Sequence, residues 1–211
     1  MNRFVRSALA AVAISTSFAS QAVLITNPGD PALASSTVID FNGAATGNNT
    51  SYSFSGVTFS TTGGTLRIAP FGEGGSSWNG SGQTLTTRDT TVSNFSINFS
   101  QAVSAFGMDW GAANPNWRVD VFDASNELLG SEVFDGGTGG TGGSFREFYG
   151  VSVLGAISRA ELTSLGGQDW VIVDNFQFVT ASNDNRVPEP AGLALIGMAL
   201  AAAAVARKRR A

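Results

Sequence analysis

Phe95-Ser96-Ile97-Asn98-Phe99, then Ser100-Gln101-Ala102, then Val103-Ser104-Ala105-Phe106-Gly107-Met108-Asp109-Trp110, commits this chain to strands. Large apolar side chains recur at every second residue from Phe95 to Phe99, with Ser96 and Asn98 between them. That is the period of an extended chain with one face in a core and one in water. The Ser-Gln-Ala connection leads tightly into a second strand at 103–110. The same alternation continues in Trp117, Val119 and Val121, spaced by Arg118 and Asp120.

Toward the C-terminus, further strands are expected at 127–134, 145–154, 157–165 and 170–179. Toward the N-terminus they are expected at 37–42 and 52–60, the latter interrupted at Gly56, where a bulge is expected. Clusters of Gly, Asn, Ser and Asp separate them and supply turn chemistry. No long amphipathic helical pattern is present. Nine or ten short strands at this spacing predict an all-β domain, an antiparallel β-sandwich of the jelly-roll type. A closed barrel is the alternative. Two glycine-rich stretches stand between strands. Residues 72–82 carry Trp78, and residues 136–143 repeat Gly-Gly-Thr. The second is read as a surface connector, because no Gly-Lys-Ser/Thr comes after it as a phosphate loop needs.

The composition limits the chemistry. The chain has no cysteine and no histidine. That excludes Ser-His and Cys-His nucleophile systems, histidine-based zinc sites and disulfides. Lys208, the one lysine, lies in the tail. From Val23 to Pro190 six arginines face 16 carboxylates, which leaves no electrostatic footprint for nucleic acid. Carboxylate chemistry of the glycosidase kind remains, and it needs two acids facing each other across a cleft. Asp109, before Trp110 at a strand end, is the best single candidate, against the more common reading of an aspartate at a turn or in solvent.

Trp170, Ile172, Asp174, Phe176 and Phe178 share one strand parity, four of them large and apolar, so this is expected to be a core face with Asp174 turned inward. A buried carboxylate is costly unless it is paired, hydrogen-bonded or metal-bound. Asp40 holds a similar place in the first strand. The pair resembles the arrangement in jelly-roll carbohydrate-binding modules, which implies a structural calcium between first and last strands. The plainer reading is that Asp174 caps a turn or accepts backbone N–H bonds. Of the four tryptophans, strand parity assigns Trp117 and Trp170 to the core and leaves Trp78 and Trp110 as candidate sugar-stacking rings.

Both ends read as addresses. Residues 1–22 have the form of a secretory signal peptide: Arg3 and Arg6, an apolar stretch, then Ser20-Gln21-Ala22, with cleavage expected after Ala22 and Ser17-Phe18-Ala19 as the alternative. The other end reads Pro188-Glu189-Pro190, an uncharged apolar run at 191–206, then Arg207-Lys208-Arg209-Arg210. Proline breaks a helix, so the triplet separates the body before it from the apolar run after it. The run would span about 24 Å as a helix, the short end of a bilayer crossing. The four cations are expected to stay in the cytoplasm.

Triplet, hydrophobic helix and basic cluster together resemble the PEP-CTERM sorting signal of exopolysaccharide-producing Gram-negative bacteria. The resemblance implies transient attachment to the inner membrane, cutting near the triplet by an exosortase-like enzyme after signal peptidase has acted, and release toward the cell surface or matrix. The expected organisation is a leader at 1–22, a linker at 23–36, the sandwich at 37–180, a second linker at 181–186 and the sorting signal at 187–211. The expected function is an exported, non-enzymatic component of the cell surface or exopolysaccharide matrix, structural or carbohydrate-binding. The alternative is a secreted glycan-active hydrolase using paired carboxylates.

Overall fold

The computed structural model describes residues 21–70, 82–87, 92–137 and 147–181. The chain divides into two units, residues 1–181 and 182–211, and the second lies wholly outside the described residues.

Among the described residues the first unit is antiparallel β-structure with one short 3₁₀ turn, Pro31–Leu33, capped by Asp30, whose side chain accepts from the Ala32 N–H. The strands are β1 Val23–Ile25, β2 Thr37–Ile39, β3 Gly47–Asn49, β4 Ser51–Phe54, β5 Val57–Ser60, β6 Leu66–Pro70, β7 Gln83–Thr86, β8 Asn94–Gly111, β9 Trp117–Phe122, β10 Leu128–Phe134, β11 Glu147–Ser164 and β12 Ile172–Thr180.

The two strands expected between Phe95 and Trp110 are one continuous strand, β8. It begins in one sheet and ends in the other. Its first half, with the second half of β11, joins β9, β10, β5 and β4. Its second half, with the first half of β11, joins β1, β12, β7, β6, β3 and β2. The turn from sheet to sheet falls where the register slips, between Ser152 and Ile157 of β11. Strands that bend through a bulge are how corners of packed sheets are made. The ladder runs from β10 to β3 without closing, so this is a sandwich and not the alternative barrel.

The side-chain period places the core. Phe95, Ile97 and Phe99 of β8 and Val119 and Val121 of β9 are buried from the first sheet, and Phe106, Met108 and Trp110 from the second. Aromatic pairs cross between the sheets. Phe59 of β5 meets Phe176 of β12 at 5.0 Å and 90°, and Phe99 meets Phe106 at 5.7 Å. Edge-to-face contacts of this kind add to the area each ring buries. A smaller cluster of Ile25, Leu33, Ala105 and Phe148 packs separately.

Three sequence expectations need correction. Gly56 is not a bulge. Ser55 and Gly56 have φ of 48° and 82° and form the two-residue turn of the β4–β5 hairpin, where two positive φ values match the strand twist. The stretch expected to be a linker before residue 37 contains β1, which pairs with β11. Trp170 is not in the core, because the inward parity of β12 changes within the strand. Val171 and Val173 are buried, then Phe176 and Phe178. The pairing with β8 gains one residue between Asp174 and Gln177, and Asn175 takes a left-handed φ of 44°. One inserted residue reverses the faces of everything before it, so Trp170 is half-exposed.

Candidate functional site

The carboxylates singled out from sequence meet at that bulge. Asp174 lies directly across from Asp109 in the β12–β8 register. Val173 and Trp110, the neighbouring cross-strand pair, point into the core, so both aspartates project from the opposite face of the sheet. Asp174 is 5% exposed, but it is not on the core face expected from alternation, because the bulge turns Val171 and Val173 inward and Asp174 to the other side of the sheet. Its Oδ1 accepts the Asn175 N–H at 2.8 Å, and the Asn175 amide donates to Asp109 Oδ2 at 2.7 Å. This geometry ties the bulge to β8.

It is not the geometry of a glycosidase. The two acids stand side by side on one sheet face, whereas hydrolysis needs them on opposite sides of a bound sugar. The hydrolase alternative is not supported.

Asp40 directly succeeds the last residue of β2, which pairs with β12, although β2 is the second strand and the first, β1, pairs with β11. It is exposed, and its Oδ1 accepts the Asn42 N–H at 3.1 Å, a turn-forming bond. No group of three or more acidic side chains suited to a metal ion occurs among the described residues. Calcium takes six to eight oxygen ligands, and two aspartates each engaged with a backbone N–H do not fit that need. No role is assigned to the ion.

Trp110 is fully buried and cannot present a face to a sugar. It packs edge-on against Trp117 at 5.6 Å and Phe134 at 5.7 Å, and Phe134 stacks on Tyr149 at 5.0 Å. The physical reason lies in the connection after it. Ala112 and Ala113 are small enough to be buried, and they draw that segment inward. Trp117 is core, as its parity requires. Burial of Tyr149, and after it the negative charges of Glu147 and Asp135, raises its phenol above the ordinary tyrosine range, against a lowering backbone hydrogen bond at Asp135. Trp78 lies outside the described residues.

The residue that organises this end is not one that sequence reasoning singles out. Asp169, 4% exposed, accepts the Asn114 N–H at 2.9 Å, the Asn114 amide at 3.2 Å and the Trp117 indole N–H at 3.3 Å. Its backbone also pairs with Val92. The Asn114 carbonyl in turn accepts the Gly137 N–H at 2.9 Å, and Asn116 separately accepts the Gly136 N–H at 2.8 Å. A buried carboxylate is tolerated when its oxygens are saturated in this way. The available signal is a lone acid between Gly166-Gly167-Gln168 and a strand, which does not reveal which donors arrive.

A groove of about 620 Å³ lies beside β1, with Gln21, Val23, Ser104, Ser152 and Leu154 along its walls and no carboxylate among its lining residues. Leu154, at the tip of the β11 corner, is 99% exposed. No helix among the described residues is long and apolar enough to cross a membrane. The 191–206 run, the triplet and the four cations lie outside those residues, as does most of the leader.

A family model of the PEP-CTERM protein-sorting motif matches residues 186–210. No curated protein matches the chain. Among solved structures the chain is similar to a point mutant of the family 29 carbohydrate-binding module CBM29-2, with 16% identity and a TM-score of 0.36 over 72% of this chain and 97% of that one. It is similar to CsCBM6-3 from Clostridium stercorarium in complex with cellobiose, with 16% identity and a TM-score of 0.36 over 69% and 94%. It is also similar to a cleaved adhesin domain of Lys-gingipain from Porphyromonas gingivalis, with 15% identity and a TM-score of 0.28 over 76% and 99%. At these scores the likeness says nothing about a ligand of this chain. The tail is different, because there the match is to a sequence motif: residues 186–210, the stretch that contains Pro188-Glu189-Pro190 and the terminal cations, are a PEP-CTERM protein-sorting motif, the mark of an exported protein with a membrane-anchored precursor.

Proposed function

We propose that this protein is exported through its leader, held briefly at the inner membrane by the 191–206 helix, cut near Pro188-Glu189-Pro190 by an exosortase-like enzyme, and released to the cell surface or exopolysaccharide matrix. There it acts without catalysis, as a structural or carbohydrate-binding component. The observation that carries the reading is the sorting motif at residues 186–210, placed after an acidic, all-β body. The motif is a substrate sequence, so its chemistry belongs to the processing enzyme. The body contributes a compact fold with no cysteine to oxidise outside the cell.

Deleting residues 207–210 removes the charges that hold the helix in its orientation. The precursor is then expected to lose its cut near Pro188, visible as an immunoblot band of undiminished size. Normal processing of the truncated chain would refute the sorting mechanism.

Trp78 is the remaining candidate for a sugar platform, set among Gly, Ser and Asn in the sequence. Stacking of one ring supports about a tenfold change in affinity. Trp78→Ala is therefore expected to weaken binding to the polysaccharide of the producing cells by about that factor in a pull-down titration. Equal binding by the variant and the parent would leave the structural role alone.

A further inference from the structure

The start of the mature chain is written into the fold. Ala22 is 3% exposed and is part of the main core cluster. It stands immediately before β1, whose residues Val23, Leu24 and Ile25 pair with Ser152, Val151 and Gly150 of β11. Ala22 also fills a space on β10. A Cβ at Gly130 would lie 2.6 Å from the Ala22 nitrogen and 2.7 Å from the Ala22 Cβ. The chain at residue 22 thus occupies the volume that a side chain at position 130 would take. One residue earlier, Gln21 forms part of the groove wall beside Val23. Ala22 is built into the folded body, and Gln21, itself exposed, lines the groove beside it.

The spacing of small residues allows a leader to be cut after Ala22 or after Ala19. The two products differ physically. A cut after Ala22 removes a core residue and leaves the space beside Gly130 empty. It also places the new α-ammonium on Val23, the first residue of the β1–β11 pairing. A cut after Ala19 leaves Ala22 in place and puts the charge three residues upstream.

We infer that signal peptidase hydrolyses the Ala19–Ser20 bond. Water breaks that amide, Ala19 leaves as a carboxylate with the leader, and the mature protein begins at a Ser20 ammonium, with Gln21 and Ala22 next in line. The inference rests on the leader reading under the proposed function, and it moves the boundary expected from sequence by three residues.

The test is intact-mass and N-terminal peptide analysis of the full chain expressed in an exporting Gram-negative host. The expected N-terminus is Ser20. A mature chain starting at Val23 overturns the inference and spares the leader, whereas one starting at Met1 overturns the leader reading and the inference with it. Gly130→Ala supplies an independent measurement. The clash falls on Ala22, so the exported variant is expected to melt at least about 3 °C below its parent. An unchanged melting temperature would mean that Ala22 is gone from the mature protein.

Discussion

Asp169→Ala is expected to lower the melting temperature by about 6–12 °C, as measured by scanning calorimetry. The change removes one acceptor group and strands three donors: the backbone N–H and amide of Asn114 and the indole N–H of Trp117. Hydrogen bonds to a charged group contribute about 1.5–3 kcal/mol, and a buried donor left unpaired costs about 1–3 kcal/mol. The Trp117 indole is fully buried and has no water to turn to, so a loss of about 3 kcal/mol is a fair expectation. For a domain of this size that loss corresponds to the expected drop in melting temperature. Trp117→Phe in the same background should recover part of the loss, since it removes the stranded donor. A variant Asp169→Ala as stable as the parent would show that this hydrogen-bonded network contributes nothing to stability.

Phe176→Ala is expected to cost more, about 3–5 kcal/mol in a urea titration, with the folded fraction falling visibly even without denaturant. Phe176 is fully buried and meets four other rings: Phe59, Phe99, Phe106 and Phe178, at 5.0 to 6.3 Å. Phe59 belongs to the first sheet and Phe178 to the second, so the cavity would open where the sheets are held face to face. Phe176→Leu keeps most of the volume and is expected to cost under about 1.5 kcal/mol. Equal effects of the two substitutions would mean that ring packing is not what joins the sheets.

The fold is legible in the sequence wherever the physics is local. Alternation in Phe95–Phe99 and Trp117–Val121 reports one buried face, and those faces are buried. The three-residue β3, Gly47-Asn48-Asn49, is exposed throughout and exists only because it pairs with β6. No periodicity in those residues announces it. The fusion of two expected strands into β8, and likewise into β11, is also non-local. A bend of the kind at Ser100-Gln101-Ala102 looks in sequence like any short connection. For the site, the apolar same-parity neighbours of Asp174 point to the wrong face, since Val171 and Val173 are the buried residues there. The inserted residue at Asn175 is not legible, and that residue decides the fate of Trp170. Trp110 departs from its expected place as well, because a tryptophan at a strand end before Gly-Ala-Ala reads as open to ligand until the alanines are seen to be interior.

The sharing of β8 and β11 between the two sheets bears on how the protein folds. Neither sheet can form without strands that also complete the other, so no half-domain exists to be populated on its own. The pairings that close the structure join distant parts of the chain, such as Ile39 with Phe176 and Val23 with Ser152. Chains dominated by long-range pairings fold slowly, on a scale of milliseconds to seconds. β12, the last strand, is central to the second sheet and is synthesised at the very end of the body. Until it has been made, the second sheet lacks the strand that joins β8 to β7, so the same topology that makes the finished sandwich cooperative delays its completion.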